Sequence, residues 1–204
     1  SAIALNSHTN AAFQASGRAS NKVAMHVDVR LGIDSIDILP DFSRRTPVAD
    51  PDDHHIYVTL GCAAENAVIA GNASGRPAEA SVIVERANGA TVRVSLGHGA
   101  QADTELSNAI TSRQSTRSDY DGRQISGDDI RQLENAAALS GVATLFIMER
   151  PRPEQALEFI IEGNSAQVDD PAFAQELKEW LRFNADSALR SGDGLFSKCS
   201  GNPA

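Results

Sequence analysis

The sequence predicts an α+β fold, a mixed or antiparallel sheet flanked by helices. Two pairs of segments alternate apolar and polar residues with the two-residue period of half-buried strands: 23–30 with 33–39, and 81–85 with 91–96. Between and after them lie segments whose apolar residues recur three and four apart, as on one helix face. The composition, 41% hydrophobic but only 5% aromatic, points to a core of Ala, Val, Ile and Leu.

The elements follow in order. Residues 1–22, rich in Ala, Ser and Asn, read as a short helix or loop. In the first strand pair Ile36 and Ile38 alternate with Ser35 and Asp37, and Leu31-Gly32 is the turn. Residues 40–53 form a polar loop with Pro40, Pro47 and Pro51. A helix fits from about 52 to 71, carrying Ile56, Leu60, Ala63, Ala64 and Ala67 and ended by Gly71 or Gly75. Val82 and Val84, then Val92, Val94 and Leu96, define the second hairpin, with Asn88-Gly89 supplying the positive-φ positions of its turn. A short helix over 104–112, capped by Asp103, places Leu106 and Ile110 on one face.

Ser126 with Asp129 three residues on is a capping box that opens a helix carrying Ile130, Leu133 and Ala137. The apolar run 142–148 reads as a strand buried on both faces. A helix follows Pro153. Another starts at Asp170-Pro171, cap then proline, with Phe173, Leu177, Trp180 and Leu181 as its apolar stripe. The tail from Ser191 is rich in Gly and Ser. The 204 residues suffice for a sizeable core, and the whole of 1–204 reads as a single domain, with a first αβ half over 1–100 and a second over 101–204.

The net charge of −9 argues against nucleic acid or an anionic membrane surface as partner. No apolar run reaches the roughly 20 residues of a membrane helix. The chain begins with Ser1, which leaves room for a removed leader or tag. Cys62 and Cys199 show no CxxC spacing and read as reduced thiols, with a single bridge as the alternative. Cys62, inside an apolar helix, reads as a buried, inert thiol. Asp50, Asp52, Asp53, His54 and His55 read as acids at a helix N-terminus, because adjacent histidines point to different faces and chelate poorly.

The local chemistry stands out in Arg113-Gln114-Ser115-Thr116-Arg117, two arginines and two hydroxyls in five residues of an acidic chain. Guanidinium forks bind phosphate oxygens in bidentate fashion, and hydroxyls fill the remaining lone pairs. The alternative is a solvated loop whose arginines pair with Asp119, Asp121 or Asp128. A fainter echo lies upstream: Ser43-Arg44-Arg45-Thr46 before a helix with Glu65-Asn66, as Ser112-Arg113-Gln114-Ser115-Thr116 precedes one with Glu134-Asn135.

Ile-x-x-Arg-x-Ser-x-Arg followed by Tyr-Asp and a capped helix resembles the signature of the nitroreductase-like flavoproteins. The blocks from Asp41 to Asp50, Gly61 to Asn66, Glu176 to Asn184 and Gly192 to Ser197 resemble its Acg-type, twin-arginine-signal subgroup. The resemblance implies a nitroreductase-like α+β fold and FMN, its phosphate and ribityl chain held by Arg113, Ser115 and Arg117, with Gln114 where the family often has His or Arg. Ser7 and Asn10 would approach the flavin ring, although Ala11-Ala12-Phe13 replaces the family's Gln-Pro-Trp.

The implied activity is an FMN-dependent oxidoreductase. NAD(P)H reduces the flavin, which passes electrons to a nitroaromatic or quinone-like acceptor, with no obligatory catalytic side chain. The Acg-type relatives imply an alternative, a flavin-sequestering protein without turnover. The family's chains run on past the Gly201-Asn202-Pro203 position, so the expectation is an incomplete domain closed by a second copy, as in the family's dimers, or by a complementing chain. The expected location is cytoplasmic, or exported by the twin-arginine route after loss of a leader.

Overall fold

Alternation in residues 35–40 becomes burial of every second residue: Ile36, Ile38 and Pro40 face inward. The computed structural model describes residues 27–85, 89–99, 105–113, 121–139, 141–147, 152–191 and 193–196. The chain divides into two units. One comprises 1–116 with 175–204, and the other 117–174.

The first unit is built on a four-stranded antiparallel sheet in the order β1-β2-β4-β3. β1 is Val27–Leu31, β2 Ser35–Pro40, β3 Ala78–Glu85 and β4 Gly89–Leu96. The first turn occupies residues 32–34, slightly later than expected, and is closed by the Gly32 N–H on the Ser35 carbonyl at 2.8 Å. The second hairpin pairs all eight residues of each strand, from Ala78 opposite Leu96 to Glu85 opposite Gly89. Gly89 has φ +77°, as the turn chemistry requires, and a Cβ there would meet the Tyr57 hydroxyl at 2.8 Å.

Helix α1, His54–Ala73, lies over the sheet. Its buried residues Ile56, Leu60, Ala64, Ala67 and Gly71 fall on one helical stripe. The first four meet Ile36, Ile38 and Val94 in a single apolar cluster. Gly71 allows the closest approach, since a Cβ there would lie 2.7 Å from that of Ala78. The helix ends in a Schellman motif: the Arg76 N–H bonds the Gly71 carbonyl at 3.0 Å and the Gly75 N–H that of Asn72 at 3.1 Å, with Gly75 at φ +74°. Cys62 corrects the sequence reading. It is exposed, because it lies off the stripe that α1 turns to the sheet.

Helix α2, Glu105–Ser112, packs against α1. In the second unit, α3 (Gly127–Ala136) carries the expected cap, with the Asp129 N–H on Ser126 Oγ at 3.1 Å. α4 is Arg152–Asp169. α5, Pro171–Trp180, is capped by Asp170 through the Ala172 N–H at 2.8 Å. Residues 142–147 form no strand, and Val142, Leu145 and Ile147 are exposed. The run has strand-forming residues, but no described strand lies beside it to complete a ladder.

The expected stripe on α5 is also corrected. Its buried residue is Glu176, Leu177 is exposed, and Leu181 lies beyond the helix. Beyond it, β5 (Leu181–Arg182) pairs in parallel with β6 (Leu195–Phe196) around the short helix α6 (Ala185–Ser191), elements that the Gly- and Ser-rich tail did not announce. Gly194, at φ +71°, is needed there because a Cβ would run into the Trp180 carbonyl.

Candidate functional site

Arg113 directly follows α2 and continues its hydrogen bonding, its N–H donating to the Ala109 carbonyl at 2.9 Å. The hydroxyls of Ser112 and Thr111 turn back onto the Asn108 carbonyl at 3.0 and 3.3 Å. A helix C-terminus presents carbonyls and the negative end of the dipole, so α2 itself offers an anion nothing. Any attraction for phosphate must come from side chains and from backbone beyond Ser112.

Arg113 is exposed and has no carboxylate partner among the described residues. Two of the three acids that a solvated-loop reading would assign to it carry other arginines. Asp121 takes the Arg123 guanidinium at 2.6 Å, and Asp128 pairs with Arg131. Gln114, Ser115 and Arg117, like Ser7 and Asn10 and the third candidate acid, Asp119, lie outside the described residues. An exposed guanidinium with no carboxylate partner among the described residues, opening a sequence that carries an amide, two hydroxyls and a second guanidinium, is a donor set whose chemistry fits a phosphate.

The upstream cluster, Ser43-Arg44-Arg45-Thr46, has a different fate. Asp41 caps a 3-10 turn over Phe42–Arg44 through the Ser43 N–H at 3.0 Å and pairs with Arg44 at 3.2 Å. Arg45 makes a bidentate pair with Asp53, both bonds 2.7 Å, and its guanidinium sits 5.6 Å from the Phe42 ring centre. Asp53 adopts the left-handed conformation, φ 59°. It leaves the capping of α1 to Asp50, whose two oxygens accept the His55 N–H at 3.1 and 3.0 Å. Burial raises the Asp50 pKa, but hydrogen bonds from the His55 ring and from the His55 and Ile56 N–H groups outweigh it and hold the carboxyl below its ordinary value.

One further contact, from far along the chain, holds this loop. The Glu176 carboxylate, buried, accepts the Val48 N–H at 3.0 Å and the Ala49 N–H at 2.9 Å. The charge of Arg44 reaches Asp193. Burial raises the Asp193 pKa, while hydrogen bonds from Arg182 and Ser191 and the charges of Arg182 and Arg44 bring it below its ordinary value. Sequence reasoning missed Glu176. Its only local signal is an acid set among the apolar residues Phe173, Leu177 and Trp180.

His54 and His55 stack edge to face with ring centres 5.5 Å apart, and no group of three or more His, Cys, Asp or Glu among the described residues is arranged to hold a metal. No described helix is long and apolar enough to cross a membrane. No family model, curated protein or solved structure matches the chain.

Proposed function

We propose that this chain is a nitroreductase-like, FMN-dependent NAD(P)H oxidoreductase acting on nitroaromatic or quinone-like acceptors. The observation that carries the reading is Arg113, an exposed cation with no carboxylate partner among the described residues, two of whose three candidate counter-ions, Asp121 and Asp128, already serve other arginines. Arg113, Gln114, Ser115 and Arg117 would hold the FMN phosphate and the adjoining ribityl chain, and Ser7 and Asn10 would approach the ring. Bound FMN supplies the two-electron chemistry between NAD(P)H and acceptor. The protein's own part is to anchor, orient and shield. The C-terminal end of α2 lends a phosphate no favourable dipole, so the two guanidinium groups would carry its charge.

No described residue from 121 to 174 is buried. That favours a site completed by another surface, from a second copy or a complementing chain. The test is an FMN titration of the purified chain, followed by absorbance under NAD(P)H. The expected protein is yellow and is bleached by NAD(P)H. A chain that stays colourless with added FMN overturns the reading. Colour that NAD(P)H leaves unbleached replaces turnover with flavin storage.

A further inference from the structure

The two edges of the sheet are built differently. β1, five residues long, alternates its valines with the charged Asp28 and Arg30, and Arg30 stands opposite Asp37, itself paired with Arg93 at 2.6 Å. Short length and alternating charge are how proteins blunt an edge. β3 has neither. It is eight residues of regular strand, Ala78-Glu79-Ala80-Ser81-Val82-Ile83-Val84-Glu85, without Lys, Arg, Pro or Gly, and among the described residues nothing pairs with its outer side. Val82 and Val84 are 67% and 78% exposed, although they lie on the face that carries Ile38 and Val92. Helix α1 covers the middle of that face and stops short of them.

We infer that β3 is a self-association edge, pairing antiparallel with β3 of a second copy about a two-fold axis at Ile83 and joining the two sheets into one of eight strands. An unpaired row of backbone N–H and C=O groups accepts only an extended segment. A two-fold axis demands that the segment complement itself, and β3 meets that demand. With Ile83 on the axis, Val82 of each copy stands opposite Val84 of the other, and the four exposed valines close into one apolar cluster. The same register sets Glu85 opposite Ser81 rather than opposite another acid. A register centred on Val82 would oppose Glu79 to Glu85 and is disfavoured. Each copy carries −9, so long-range repulsion opposes association and added salt strengthens it. The inference does not rest on the flavin reading.

The test is sedimentation of the full chain from micromolar to sub-millimolar concentration, with and without added salt, alongside hydrogen exchange. The expected result is a concentration-dependent species of twice 21.6 kDa that salt favours, with β3 amides gaining protection as it forms. Val82→Lys with Val84→Lys should abolish that species while leaving the circular dichroism spectrum and thermal midpoint of the monomer intact, because both side chains are exposed. Val29→Lys, on the opposite edge, should leave it unchanged. A chain monomeric throughout, a dimer that survives both lysines, or a dimer lost to Val29→Lys alone would overturn the inference.

Discussion

The loop of residues 41–53 and the run that begins at Arg113 draw on the same side chains, arginines interleaved with Ser and Thr, yet they meet opposite electrostatic ends. In the loop Arg44 is matched by Asp41 and Arg45 by Asp53, and the carboxylates of Asp50 and Glu176 take the backbone N–H groups nearby. Both arginines there are matched by acids of the same loop. Arg113 has no acid beside it among the described residues, and Asp121 and Asp128 are held by Arg123 and Arg131. The lesson is that an arginine cluster is read by where its neighbouring acids go. The first cluster is part of the fold's internal bracing. Of the second, only Arg113 lies among the described residues, and it is exposed with no carboxylate partner among them.

The comparison can be broken most sharply through ligand affinity. Arg113→Ala with Arg117→Ala should weaken FMN binding by about 100-fold to 10,000-fold, the loss of charge-assisted bonds worth about 1.5–3 kcal/mol at each arginine. Its thermal midpoint should stay that of the parent chain, and flavin fluorescence titration beside a thermal melt reads both. Arg44→Ala with Arg45→Ala should do the reverse, lowering stability with FMN affinity unchanged. A drop in affinity there would erase the distinction between the clusters.

Next in size is Glu176→Ala, which strands the N–H groups of Val48 and Ala49 and should cost about 2–3 kcal/mol in urea unfolding, whereas Glu176→Gln keeps one acceptor and should cost about 1 kcal/mol. Asp53→Ala removes the partner of Arg45 and sets an alanine at φ 59°, for about 1–2 kcal/mol, and Asp53→Gly should recover roughly 1 kcal/mol by relieving the backbone alone.

The smallest effect is on acid tolerance. The folded pKa of Asp50 lies below its unfolded value, so its contribution is full above the unfolded value and is lost as pH falls through the folded one. The thermal midpoint should decline below roughly pH 4, and Asp50→Asn should flatten that limb of the curve.

Much of the architecture was legible because it is local. The period-two pattern of Ile36 and Ile38, the glycine at 89, the caps Ser126 and Asp170, and the stripe from Ile56 to Gly71 each carry their own instruction. What sequence reasoning missed depends on partners far along the chain. Glu176 finds its N–H groups more than a hundred residues away. The apolar run at 142–147 has strand chemistry but no described neighbour to pair with. Cys62 lies within an apolar segment yet off its buried stripe, a matter of angle around α1 rather than of composition. The echo between the two Ser-Arg segments is not matched in conformation, since Ser43-Arg44 forms a 3-10 turn and Ser112 closes an α-helix. Of the candidate site, the sequence picked out Arg113, and the structure adds the engagement of Asp121 and Asp128 by other arginines.

The clamp of Glu176 also sets a schedule. Val48 waits for a partner 128 residues further along the chain. At a synthesis rate of about 5–20 residues per second, that is roughly 6–25 seconds during which the loop before α1 lacks its last fastening. Through that interval the nascent sheet must be held by its own hairpins. Until then that segment lacks the Glu176 clamp that a protease, or a chaperone that grips extended chain, would otherwise meet.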